Sequence, residues 1–222
     1  YVFSSNFALY GDMSARVMNI LESVSPSVEV YSIDEAFLDL DTLDKNFNLY
    51  KFGCHVKGLI KQWTGVPVRV GIAPTKTLTK VAIYQVKKMN VATRVVQLIT
   101  QQEIMKALSL TPVGEVWGVG RRLNQHLQQM GIVSALDLAQ CDPAYIRQKF
   151  SIVLERTVRE LRGERCLEIE HDVAAKKQIV VSRSFGQRVD HLSVLQPIVS
   201  NFVVRATEKL RDEKQKCSQV SV

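Results

Sequence analysis

Val28 and Val30 alternate with polar neighbours, and Ala36, Leu38 and Leu40 do the same a few residues later. Alternation of period two marks half-buried strands, so the pattern predicts two strands joined through Tyr31–Glu35. Val66, Val68, Val70 and Ile72 predict a third strand, and Thr93 to Leu98 a fourth. Between them the period changes. Asn6 stands where a helix cap belongs, and Tyr10, Met13, Val17, Ile20 and Leu21 follow as an apolar stripe that Ser25-Pro26 ends. A second helix is expected from about Leu49 to Trp63, with Phe52, Val56 and Ile60 inward and Thr64-Gly65 as its stop. A third opens after Gly71-Ile72-Ala73-Pro74-Thr75-Lys76 and carries Leu78, Val81 and Ala82. Strand pairs crossed by helices in this order predict an α+β fold with a mixed sheet covered on one side.

Beyond the fourth strand the pattern becomes helical. Thr100 and Glu103 form a capping box, and Thr111-Pro112 marks a boundary between the sheet layer and an all-helical segment. Val116-Trp117-Gly118-Val119-Gly120-Arg121-Arg122 lies between a short helix and one reaching Met130. Gly131, Ser134 and Asp142-Pro143 punctuate further helices, and the last, Phe150 to Leu161, ends at Gly163. Arg156, Arg159 and Arg162, diluted by Glu155 and Glu160, read as a solvated face. Glu168 to Ala175 is polar and unpatterned. Ile179 to Phe185 predicts a strand, Val194 to Lys214 a helix facing inward through Ile198, Phe202 and Leu210, and Cys217 to Val222 the start of another strand. The expected divisions are 1–110, 111–167, a linker over 168–176, and 177–222.

Composition narrows the chemistry a little. With 222 residues, 46% of them hydrophobic and 23% charged, the chain can bury a core and hold two domains. A net charge of +7 and a pI near 9.3 suit a polyanion partner. Cys54, Cys141, Cys166 and Cys217 form no CxxC pair, and none of the four histidines stands at metal-ligand spacing from a cysteine. Reduced thiols are the expectation. No signal peptide and no membrane-spanning apolar run is legible, so no membrane partner is expected.

Three stretches carry candidate chemistry. Asp34 and Glu35 interrupt the first strand pair. Adjacent side chains on a straight strand point to opposite faces, but a bend between Ser32 and Glu35 brings both to one spot. Two crowded carboxylates need a proton or a divalent cation between them, and oxygen ligands suit Mg²⁺. The alternative is a pair of solvated acids near a strand end. Lys76 and Lys80 lie one turn apart on a helix whose free N–H groups favour anions, although helix lysines are usually solvated. The Gly118-Val119-Gly120 turn lets the chain approach a phosphate, with Arg121 and Arg122 as counter-charge; a plain helix connector is the alternative. Trp117 reads as core rather than as a base-stacking platform.

Ser32-Ile33-Asp34-Glu35-Ala36-Phe37 with Leu38-Asp39-Leu40 resembles the palm motif of Y-family, error-prone translesion DNA polymerases, in its UmuC-like bacterial branch. The resemblance runs along essentially the whole chain. It implies that 1–110 is a partial palm, 111–167 a helical thumb with a helix-hairpin-helix, and 177–222 the start of an α/β little finger. It further implies that two Mg²⁺ ions are held with Asp34 bridging both and Glu35 on the ion at the attacking oxygen. The resemblance also implies that Lys80, in Leu78-Thr79-Lys80-Val81-Ala82, contacts the triphosphate of the incoming dNTP, with Lys76 as a weaker candidate. Gly118, Val119, Gly120, Arg121 and Arg122 hold the DNA backbone from the thumb, and Ser182, Arg183 and Ser184 from the little finger. Primer–template DNA is the expected partner, with a processed UmuD dimer and RecA implied by resemblance. The expected setting is the bacterial cytoplasm at the nucleoid, in SOS repair and mutagenesis.

Two features depart from the family's pattern. Asn90-Val91-Ala92-Thr93 stands where related chains carry a glycine-rich turn. Tyr1-Val2-Phe3 opens strand-like, downstream of the family's first metal aspartate, fingers and sugar gate, so a fragment inactive by itself is the expectation. A non-catalytic helix-hairpin-helix DNA-binding module is the rival reading, and it needs no metal. A nucleotide cyclase is a weaker one, because a cyclase has no use for the Gly118-Val119-Gly120 phosphate grip.

Overall fold

The computed structural model describes residues 3, 5–41, 43, 47–88, 92–170 and 177–222. Tyr1 and Val2, Asn90 and Val91 of the stretch at 90–93, and positions 171–176 of the expected linker lie outside them. The chain separates into two compact units, Tyr1–His171 and Asp172–Val222, each taken by itself below.

In the first unit, α1 (Phe7–Val24) begins where Asn6 accepts the Leu9 N–H at 3.0 Å. Its inner face, Met18, Ile20 and Leu21, packs with Val56 and Ile60 of α2 (Leu49–Thr64). Tyr10, expected on the apolar stripe, stays 48% exposed. Gly65 closes α2 in the left-handed region, at φ 76°. Against this pair of helices lies a hairpin of β1 (Val28–Val30) and β2 (Ala36–Leu38), antiparallel with Val28 opposite Leu38 and Val30 opposite Ala36.

β3 (Val70–Ile72), α3 (Lys76–Lys88) and β4 (Val95–Gln97) form a parallel crossover. Val66 and Val68 alternate as expected but precede the ladder, which is three residues long. The sheet therefore comes as two two-stranded pieces, one antiparallel and one parallel, within the expected α+β class. Gly71 lets α3 lie close on β3: a Cβ there would stand 2.6 Å from the Thr79 carbonyl oxygen. That approach brings Lys80 toward the hairpin.

The helical part follows from its caps. Capping boxes start α4 (Gln101–Ser109) at Thr100 and α6 (Ala135–Gln140) at Ser134. Hydrogen bonds from Thr100 and Ser134 hold the Glu103 and Asp137 carboxyls below their usual range. A 3₁₀ turn at Val113–Glu115 leads to α5 (Arg121–Gln129), and α7 (Pro143–Lys149) and α8 (Ile152–Leu161) complete the unit. Leu78, Val81 and Ala82 of α3 share one hydrophobic cluster with Val113, Leu127, Leu138, Ile146 and Leu161, so the expected palm and thumb segments have a common core.

The second unit contains α9 (Leu192–Asp212), which has no buried residue. Residues 179–185 and 217–222, expected as strands, join no ladder among the described residues. Alternation sets which side chains share a face, but a strand forms only where a partner supplies its hydrogen bonds.

Candidate functional site

The turn between β1 and β2 is tightly bent at the acidic pair. The Glu35 carbonyl oxygen accepts the Tyr31 and Ser32 N–H groups at 3.1 and 3.0 Å, which folds residues 31–35 back on themselves. Ser32 Oγ donates to Asp34 Oδ1 at 2.8 Å. Both carboxylates are exposed on this turn.

Glu35 meets a cation from α3. Lys80 Nζ stands 2.8 Å from Glu35 Oε1, and its side chain is only 17% exposed. Three rings surround the same ammonium: Tyr31 at 4.6 Å, Phe37 at 5.2 Å and Trp117 at 5.4 Å from their centroids. A partly exposed ion pair contributes roughly 0.2–1 kcal/mol. A desolvated cation–π contact contributes about 0.5–2 kcal/mol. The rings therefore hold Lys80 at least as firmly as the carboxylate does. Trp117 reaches the hairpin from the turn preceding α5, packs edge-on to Tyr31 at 5.4 Å, and donates its Nε1–H to the Tyr31 hydroxyl at 3.2 Å.

Lys76, one turn earlier, is placed differently. It is buried, its Nζ pairs with the buried Glu29 carboxylate, and it donates to the Glu168 carbonyl oxygen at 2.6 Å. Glu29 also accepts the Glu170 N–H at 2.8 Å. Lys76 thus fastens the 168–170 segment to the back of the hairpin and does not share the exposed face with Lys80.

The amino end of α3, read from sequence as open to an anion, already has one. Glu160 of α8, with no exposed surface, accepts the Thr77 N–H at 2.9 Å and the Cys166 and Leu167 N–H groups at 2.9 and 3.1 Å. Thr75 Oγ accepts the Leu78 N–H at 3.2 Å. The reading of Glu160 as part of a solvated face is corrected on this ground. Glu155 is buried as well, whereas Arg156, Arg159 and Arg162 stay exposed as read, with the Arg162 guanidinium also donating to the Ala139 and Cys141 carbonyls at 2.6 and 2.7 Å and so tying α8 to α6. Arg165 bridges Asp39, at 2.7 Å, and Asp41. The hydrogen bond to Asp39 raises its guanidinium pKa further.

Asp34 and Glu35 make an oxygen-only donor set on one turn, which fits a hard divalent cation as part of a site. No third His, Cys, Asp or Glu completes a metal-holding group among the described residues. Water and substrate phosphates are the remaining ligands such a cation would take.

The 116–120 turn has the form its glycines predict. Gly118 sits at φ 88°, a backbone region that L side chains rarely adopt. Gly120 caps α5 with open space where a Cβ would point. Val119 is buried, which anchors the turn, whereas Gly118, Gly120, Arg121 and Arg122 face solvent. In the second unit Ser182, Arg183 and Ser184 are exposed on irregular backbone. Tyr31, Phe37, Glu160 and Arg165 were not singled out from sequence as site residues. Only Tyr31 and Phe37 carried a signal, as aromatics flanking the acidic pair. No described helix is long and apolar enough to cross a membrane.

Comparison with known proteins bears on the family and the fold. The impB/mucB/samB family matches residues 1–83, and the impB/mucB/samB family C-terminal domain matches 176–222. Protein ImpB of Salmonella typhimurium is 50% identical over all of this chain, which covers 53% of ImpB. Protein UmuC of Salmonella typhimurium is 48% identical over 99% of the chain, which covers 52% of UmuC. The chain thus spans about half the length of the curated relatives it matches. A DinB-family error-prone DNA polymerase from Sulfolobus solfataricus superimposes at a TM-score of 0.63 and 21% identity, over 94% of this chain and 62% of that one, which shows a shared fold. The motif around Asp34 and Glu35, the two matched segments and the relatives together place the chain in the impB/mucB/samB family, the UmuC-like branch of the Y family.

Proposed function

We propose that the protein to which this chain belongs is a translesion DNA polymerase that adds a dNTP to a primer 3′ end. The observation that carries this reading is the folded 31–35 turn, which exposes Asp34 and Glu35 together and sets Glu35 beside the half-buried Lys80. In this reading Asp34 and Glu35 hold two Mg²⁺ ions, which when bound lower the cost of charge on the attacking and transferred oxygens. Lys80 neutralises the triphosphate as charge shifts during transfer. Lys76 supports the turn from behind through Glu29. The backbone at Gly118, Val119 and Gly120, with Arg121 and Arg122, grips the duplex, and Ser182, Arg183 and Ser184 grip it from the second unit. The division at 110/111 into palm and thumb, with a linker over 168–176 leading into the little finger, belongs to the same reading. Association with a processed UmuD dimer and with RecA, and action at the nucleoid in SOS mutagenesis, rest on the family resemblance.

Residues 1–222 alone are expected to bind duplex DNA but to extend primers negligibly, because no third carboxylate completes a metal-holding group with Asp34 and Glu35 among the described residues. Primer extension by the full-length protein tests the assignment. Asp34→Ala is expected to abolish synthesis while leaving primer–template affinity within about twofold, since phosphate contacts elsewhere carry DNA binding. Full synthesis by the variant would overturn the metal role. Duplex binding that needs no metal, with no Asp34-dependent effect of Mg²⁺ on nucleotide binding, would favour the non-catalytic DNA-binding module.

A further inference from the structure

The geometry points to Tyr31 and Trp117 as positioning residues for the Lys80 ammonium, so that the turn before α5 sets where the nucleotide-facing charge stands. This inference rests on the proposed contact of Lys80 with the triphosphate. Lysine is a flexible point charge with three N–H donors. A carboxylate partner uses a donor, whereas a ring face attracts the ammonium through its quadrupole and uses none. Here the ammonium pairs with Glu35 at 2.8 Å, and the rings of Tyr31, Phe37 and Trp117 confine it from 4.6 to 5.4 Å. The rings take up none of the N–H donors that an incoming anion would use.

The seat is fixed from two directions. Tyr31 belongs to the bent hairpin, and Phe37 pairs across it with Glu29. Trp117 follows the buried Val116, whose N–H bonds to Val113, and precedes Gly118, so its backbone is pinned to the 3₁₀ turn. The Nε1–H bond to the Tyr31 hydroxyl then locks the two rings together. A base-stacking platform would leave Trp117 free, but its ring already meets Tyr31, Phe37 and the Lys80 ammonium at 5.4, 5.8 and 5.4 Å. Residues from the DNA-gripping turn and the acidic turn therefore hold one lysine between them.

Single-nucleotide insertion by the full-length protein tests this, with KM for dNTP, kcat and primer–template Kd measured separately. Trp117→Leu keeps apolar bulk and removes the ring. It is expected to raise KM about three- to tenfold, the size of a cation–π contact, and to leave primer–template Kd unchanged. Trp117→Phe, which restores a ring in a side chain that packs readily, is expected to recover most of that loss. In a Lys80→Met background, Trp117→Leu is expected to add nothing further. An equal KM increase with and without Lys80 would overturn the seat, as would an unchanged KM in Trp117→Leu. If Lys80→Met itself left KM unaltered, the triphosphate role of Lys80 would fail first, and the inference with it.

Discussion

Glu160 illustrates how much of this protein is decided by single residues. Its buried carboxylate accepts three backbone N–H groups, one of them at the amino end of α3, where the helix dipole favours a negative charge. Its own carbonyl oxygen accepts the Thr75 hydroxyl at 2.8 Å. Glu160→Ala would leave those donors unpaired and is expected to cost roughly 3 kcal/mol or more in urea unfolding. Glu160→Gln should cost nearly as much, because its NH₂ would face an N–H whichever way it turned. A loss below about 1 kcal/mol in both would contradict the account. Sequence could not reveal this role, since Thr77 lies 83 residues away and nothing nearby marks Glu160 as anything but a surface acid. Thiol chemistry gives a second check. Burial first, and then the Glu160 charge, push the Cys166 thiol pKa up, and burial does the same for Cys141, whereas Cys217 is exposed. Iodoacetamide at pH 8 is therefore expected to modify Cys217 well before Cys166 and Cys141, because the thiolate is the nucleophile. Equal rates in the folded protein would contradict this.

Elements whose signals are local were legible. Asn6, Thr100, Ser134 and Asp142 each accept an N–H in the following helix turn, as cap chemistry predicts from a few adjacent residues. Strands were legible only as far as a neighbour exists to pair with them. The acidic turn lies between these cases: alternation on both sides predicted the hairpin, and the hairpin supplied the bend. What alternation could not supply was the third element, α3, whose approach over Gly71 delivers Lys80 to that bend. The turn before α5 makes its own prediction. Gly120→Val would fill the open space at the amino end of α5 and is expected to weaken duplex binding by about fivefold or more at low salt. Arg121→Ala is expected to reduce the slope of log affinity against log salt by about one phosphate contact. Unaltered affinity and slope in these variants would remove the turn from the DNA interface.

At the scale of the molecule, the net charge of +7 suits a polyanion without saying where it binds. The packing is more specific. A single hydrophobic cluster runs from α3 to α8, so the acidic turn and the glycine turn are parts of one body. Glu160, Lys76 and Arg165 fasten the 165–170 segment to that body by polar contacts. The expected boundary near Thr111 was a change in pattern, from alternation to helical spacing, and a pattern change does not reveal whether two layers share a core. The central claim is that the carboxylates of one turn are cation ligands. Electron paramagnetic resonance of Mn²⁺ titrated into the full-length protein with dNTP and primer–template reads this directly. Wild type is expected to bind Mn²⁺ that Asp34→Asn loses, while binding the same DNA. Equal Mn²⁺ stoichiometry and affinity in the two proteins would contradict the account.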